Sequence, residues 1–353
     1  MRNRRLATVA LLAVGATLIF WACSDSGPST PVLDPNGVAY SFVTLGCNRV
    51  AAGDTIGNAS TANVAQLNKT YADIAALSPK PNYLFFTGDM VLGYTNDSLN
   101  LDKELKAWVA LWQASPAAAA GIELVAVPGN HETENVAKVA TSPAERTWLR
   151  DLAPFIAHGG NGPAAGVDGY TTDQSKLTYS FDYKDAHFVT ISTDGVGKDW
   201  HVPTTWVASD LAAARSRGQK HIFVFGHKPA YAYPTVPTDG LAFDQTSRDA
   251  FWASLTSNQV EAMFSAHNHV FYRSQPTNKT FQVIAGNGGT ALDAGLDLSI
   301  PNTGAYFGFT LVQVLNSGRV IMKSYGRDIP AAGYTAAVTG ATTVRDSTEI
   351  TWK

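Results

Sequence analysis

The chain has 353 residues, of which 45% are apolar, 10% aromatic and only 16% charged. An average globular chain carries about 25% charged residues, so the composition excludes a disordered polyelectrolyte and leaves ample material for a core. The formal net charge is −3, and it is more negative still without Arg2, Arg4 and Arg5 of the leader, which argues against a nucleic-acid partner.

Residues 1–5 are basic, residues 6–22 form an apolar run, and Cys23 opens a polar, Pro-rich stretch. This order resembles a bacterial lipoprotein signal, in which a small residue precedes the cysteine that takes the lipid. It implies a signal peptide over 1–22, lipidation at Cys23, a polar tether over 23–38 and a single domain over 39–353. Phe20 and Trp21 are bulkier than usual at such a site, and the alternative is an uncleaved anchor. Either reading exports the domain and holds it at a membrane, in the periplasm or at the cell surface. With Cys23 acylated, Cys47 has no partner for an internal disulfide.

Beyond the tether, apolar β-rich runs predict strands at 40–45, 83–87, 122–127, 179–183, 187–193, 221–225, 260–265 and 281–285. Helices are predicted at about 61–77, 99–114, 143–152, 204–217 and 246–257. Strands alternating with helices predict an α/β domain with a largely parallel core. Residues 306–315 and 319–325 flank Asn316-Ser317-Gly318 and read as an antiparallel hairpin.

The residues just beyond the strand ends carry the chemistry. The first strand meets Gly46-Cys47-Asn48-Arg49, the second Gly88-Asp89, and the third Gly129-Asn130-His131-Glu132. Two later strands run into Gly226-His227 and Ala266-His267-Asn268-His269. Ligands of α/β sheets bind beyond the carboxyl ends of the strands, so this edge is a site. A carboxylate, an amide and several imidazoles without a Ser or Lys nucleophile suit metal ligation. Mixed nitrogen and oxygen donors favour Zn, Mn or Fe over Ca. Such ions can activate water for attack at phosphorus.

These segments resemble four of the five motifs of the calcineurin-like metallophosphoesterases. Tyr179-Ser180-Phe181-Asp182-Tyr183 with Ala186-His187-Phe188, and His269-x-x-Tyr272-Arg273, resemble the purple-acid-phosphatase-like branch. The resemblance implies a four-layer α-β-β-α sandwich of two mixed β-sheets flanked by helices. It also implies that Asp89 bridges two metals, that Asn130, His227 and His267 complete one site, and that His269 serves the other. His131 is then the catalytic group facing the substrate, with Arg49 and Arg273 as further candidate substrate contacts. Asn287 is a looser candidate, and Tyr231, Tyr233 and Pro234 are expected to line a leaving-group pocket. His187 is expected to be a core histidine, and Asp194 a turn or supporting residue.

The first family motif is normally Asp-x-His, and the aligned segment here is Cys47-Asn48-Arg49. Arginine cannot ligate a metal, whereas a cysteine thiolate can. Three readings stay open: Cys47 holds the second metal, the Arg49 guanidinium takes that metal's place, or the site is inactive. Leu92 stands where purple acid phosphatases carry an iron-binding Tyr, and Tyr94 is expected only to line the loop. The expected function is an exported phosphoesterase with one or two ions of Zn, Mn or Fe, hydrolysing a small phosphate monoester or diester with metal-activated water. The alternative is a catalytically silent surface lipoprotein that keeps the scaffold for binding.

Overall fold

The computed structural model describes residues 34–54, 62–277, 279–329, 338 and 340–352. The leader, Cys23 and most of the tether lie outside the described residues. Two large sheets carry the fold, beside a two-stranded ribbon of β6 (Asp194–Gly195) and β7 (Lys198–Asp199). The first has six strands in the order β15 (Thr343–Glu349), β14 (Val320–Asp328), β13 (Tyr306–Leu315), β1 (Val38–Leu45), β2 (Tyr83–Thr87) and β3 (Glu123–Val127). β1, β2 and β3 run parallel, while β13 pairs antiparallel with β1 and forms the expected hairpin with β14.

The second sheet has seven strands: β12 (Thr303–Gly304), β10 (Phe271–Ser274), β11 (Phe281–Ala285), β9 (Ala262–Ser265), β8 (His221–Gly226), β5 (Ala186–Ile191) and β4 (Tyr179–Tyr183). Its four central strands are parallel and both edges are antiparallel. A parallel strand is covered on both faces, which is why β2, β5 and β8 are largely apolar and are buried along their whole length. Both sheets are therefore mixed, as the resemblance implied. A largely parallel core describes only their centres.

The helices fall close to their predicted spans, at Val64–Ala75, Ser98–Gln113, Ser142–Asp151, Thr204–Ser216 and Gln245–Ser257. Side-chain caps start four of them: Asn63, Asp97, Thr141 and Asp244 each accept a hydrogen bond from a first-turn N–H, an exchange worth about 1 kcal/mol per helix. Among the described residues no helix is long and apolar enough to cross a membrane.

Phenylalanine joins the two sheets. Phe42 of β1 has ring centroids 4.9 to 5.7 Å from Phe188, Phe223, Phe225 and Phe264 of the opposite sheet. Phe85 of β2 stacks on Phe225 of β8 at 3.7 Å. This packing brings the carboxyl ends of β1, β2 and β3 against those of β8 and β9, so one site draws residues from both sheets.

Candidate metal centre

Asp89 is fully buried just beyond β2. Its loop closes on the loop after β3 at two glycines: a Cβ on Gly88 would stand 2.7 Å from the Gly129 backbone and 2.6 Å from His227 Nδ1. Glu132 fastens the two loops, since Oε2 accepts from the N–H groups of Asp89 (3.0 Å) and Gly129 (2.7 Å) while Oε1 accepts from Val91 (3.1 Å). Cys47, Arg49, Asp89, Tyr94 and His267 all have φ between 48° and 65°. Left-handed backbone at non-glycine residues costs about 1–3 kcal/mol each and gathers at functional sites.

Four donor atoms converge here, and their partners settle which of them carry protons. His227 donates Nδ1–H to the Thr87 carbonyl at 2.7 Å, so Nε2, 3.0 Å from Asp89 Oδ1, is the nitrogen left to take a proton or a metal ion beside that carboxylate. His267 Nε2 donates to Asp239 Oδ1 at 3.1 Å. Its bare Nδ1 lies 3.3 Å from His227 Nε2 and 3.2 Å from Asn130 Oδ1. The Asn130 amide N–H₂ donates to the Tyr94 hydroxyl, which turns Oδ1 inward. A proton on His227 relieves one of these contacts; a divalent cation relieves all of them. Asp89, Asn130, His227 and His267 therefore fit one transition-metal ion of the Zn, Mn or Fe kind.

The other face of Asp89 is different. Arg49 donates to Asp89 Oδ2 through Nε at 3.1 Å and Nη2 at 2.9 Å. Cys47 Sγ lies 4.0 Å from the same oxygen and accepts the His267 backbone N–H at 3.2 Å. Cys47, Asp89 and His269 each bring a possible ligand atom within 4.8 Å of the others. His269 Nε2 finds no hydrogen-bond partner among the described residues. Its Nδ1 lies 3.4 Å from Asp293 Oδ1.

Burial opposes the charge on Asp89, but His131, His227 and Arg49 outweigh it and hold the carboxyl well below its ordinary range. Burial likewise works against protonation of His227, where the Asp89 carboxylate prevails and the net shift is upward. It lowers His131 to about 4 and His269 to about 3, and it pushes the Cys47 thiol up. His131 donates Nδ1–H to the Leu92 carbonyl at 2.5 Å, and its Nε2 lies 3.7 Å from Asp89 Oδ2.

The structure thus brings Cys47, Arg49, Asp89, Asn130, His131, His227, His267 and His269 together. Arg273 is not among them. Its guanidinium forks onto Asp346 of β15 at 2.7 and 3.0 Å and reaches Asn302 at 2.9 Å, so its charge ties β10 to β15. Asn287 donates to the Tyr306 carbonyl. Tyr231 lines a separate cavity of about 440 Å³ with Trp252 and Thr277, and the Tyr233 hydroxyl bonds Asp297. His187 is a core histidine held between Asp182 and Asp210. Tyr94 does more than line a loop, because it orients Asn130. Sequence reading also missed Asp239 and Asp293, and it placed Glu132 in its motif without a role. Only Glu132 carried a signal, lying three residues after Gly129 where capping side chains sit.

A family model of the calcineurin-like phosphoesterases matches residues 20–271. The chain belongs to that family. Its fold is similar to purple acid phosphatase PPD1 from yellow lupin (Lupinus luteus) seeds, with TM-score 0.58 and 15% identity over 88% of this chain and 54% of that one. It is similar to a dimetal phosphatase from Danio rerio, with TM-score 0.55 and 15% identity over 91% and 100% of the two chains. It is also similar to GAP50, the anchor in the inner membrane complex of Plasmodium, with TM-score 0.52 and 15% identity over 89% of each. The chain spans about half the length of the lupin enzyme. No curated protein matches the sequence. At these identities the neighbours speak for the calcineurin-like fold, and the chemistry rests on the residues themselves.

Proposed function

We propose that this member of the family is a metal-dependent hydrolase of small phosphate monoesters or diesters. The observation that carries the reading is the convergence of Asp89 Oδ1, His227 Nε2, His267 Nδ1 and Asn130 Oδ1, each 3.0 to 3.3 Å from the next. An ion held by them would supply Lewis acidity and an activated water for displacement at phosphorus. Around it, Tyr94 and Asp239 lock the orientation of Asn130 and His267. Partners of this kind are worth about 10–100-fold in metal affinity or activity. His131 has Nδ1 committed to Leu92, which leaves Nε2 as its one exchangeable position. An arriving phosphate favours the protonated ring, so His131 would bind a phosphoryl oxygen or give its proton to the leaving group.

The test uses the whole chain, stripped with a chelator and reloaded with Zn, Mn or Fe. Hydrolysis of 4-nitrophenyl phosphate or of its bis ester is expected only after reloading. His131→Ala should lower kcat by about 10²–10⁴-fold with metal content unchanged. Full metal uptake with no turnover of either ester, but with tight phosphate binding, would favour the rival reading of a silent scaffold. Arg49 on the second face of Asp89 is the observation behind that rival.

We also propose export and lipid anchoring through Cys23. The support is the residue order alone: Arg-rich start, apolar run over 6–22, then Cys23. Mass spectrometry of membrane-extracted protein should find an acylated Cys23 as the first residue, and Cys23→Ser should remove it. An N-terminal peptide that still contains Met1 would defeat the lipidation and favour an uncleaved anchor.

A further inference from the structure

We propose that Arg49 occupies the position of a second cation on Asp89, so that the chain binds one metal ion and not two. The inference deepens the metal-centre reading above and rests on it. Asp89 has two faces. Oδ1 meets His227 at 3.0 Å and belongs to the four-donor group. Oδ2 takes two N–H bonds from one guanidinium, at 2.9 and 3.1 Å. An ion bridging the carboxylate would have to bind Oδ2 at the point Arg49 already holds. It would also have to approach a permanent positive charge, because arginine does not deprotonate in proteins.

The arrangement is built by the backbone and is more than a side-chain rotamer. Cys47 and Arg49 both adopt left-handed φ, 60° and 61°. Three bonds offset that cost by wrapping the segment around the Asp89 loop: Cys47 N–H to Gly88 O, and Asn48 and Arg49 N–H to Asp89 O, at 2.8 to 3.0 Å. The turn sends the Arg49 side chain back onto Asp89. Cys47 and His269 remain beside Oδ2 as donors, so a ligand set survives there while its position is taken. The Arg49 side chain is 23% exposed, which places a fixed cation at the open side of the centre. A planar guanidinium suits phosphoryl oxygens, and this charge, unlike an ion, cannot dissociate.

Metal stoichiometry tests the proposal without recourse to activity. The full chain is stripped, reloaded with Zn(II) and separately with Co(II), and analysed for metal per folded chain, with circular dichroism to confirm folding. Wild type should take up one equivalent. Arg49→Ala should take up two, the second giving a thiolate-to-Co(II) charge-transfer band that disappears in Arg49→Ala/Cys47→Ser. Arg49→Lys, which keeps a cation there, should stay at one. Two equivalents in wild type, or one in folded Arg49→Ala, would overturn the proposal and leave the metal-centre reading standing. No uptake by wild type would overturn that reading and this proposal together.

Discussion

Asp89→Asn is expected to fold yet bind metal at least about a hundredfold more weakly, since even the outer hydrogen-bond partners of metal ligands are worth about 10–100-fold. The change keeps the shape of the side chain and removes the negative charge that His227, His131 and Arg49 surround. Thermal unfolding with and without metal provides the reading. At a metal concentration of about 100 Kd, wild type should gain about 2.7 kcal/mol from binding. A variant whose Kd has risen about a hundredfold should gain only about 0.4 kcal/mol under the same conditions. Phosphoesterase activity should fall with the metal. Equal stabilisation of the two proteins would mean that Asp89 is not a ligand.

Lys228→Met is expected to destabilise the fold by about 3–5 kcal/mol, the usual result of removing one partner from a buried ion pair. The residue follows His227 and is fully buried. Its ammonium bonds Asp194 and, at 3.1 Å, Glu134, and it lies 3.4 Å from the centre of the Trp200 ring. Burial opposes ionisation of Asp194, but Lys228 prevails and the net shift is downward. Burial raises Glu134 to about 7 even with Lys228 beside it. Without the ammonium both carboxyls would be raised, and a folded state that holds protons more tightly than the unfolded chain loses stability as pH rises. The deficit of the variant should therefore be smaller near pH 5 and grow toward pH 8. Urea unfolding at the two pH values measures it, and equal stability at pH 8 would contradict the account.

Much of the fold and of the centre is legible in the order of the residues. Parallel strands covered on both faces must be largely apolar, and β2 and β11 fall at their predicted limits, as does the antiparallel edge strand β4. Polar residues placed directly after such runs have nowhere to go but the strand ends, which is why Asp89, Asn130, His227 and His267 could be named. The residues that aim them could not. Tyr94, Asp239 and Asp293 sit in loops whose course depends on packing, and nothing local ties Asp239 to His267. Arg273 shows the cost of an unseen strand. β15 is largely exposed and reads Thr-Val-Arg-Asp-Ser-Thr-Glu, without apolar alternation, so Asp346 was not available as a partner and Arg273 was assigned to substrate. The proposed choice among three readings of Cys47-Asn48-Arg49 rests on the Arg49 fork onto Asp89 and on two positive φ values, and side-chain chemistry alone does not predict those.

The way the ligands are shared between sheets has a consequence for regulation and engineering. Asp89 and Asn130 ride on the first sheet, His227 and His267 on the second, and the phenylalanine layer around Phe42 sets the spacing between them. An ion bound by all four, as proposed, would act as a staple between two half-molecules. By thermodynamic reciprocity, whatever it adds to the cohesion of the sheets is returned as affinity when the sheets are well docked. Substitutions deep in the aromatic layer should thus reach the centre as changes in metal affinity without touching any of the proposed ligands.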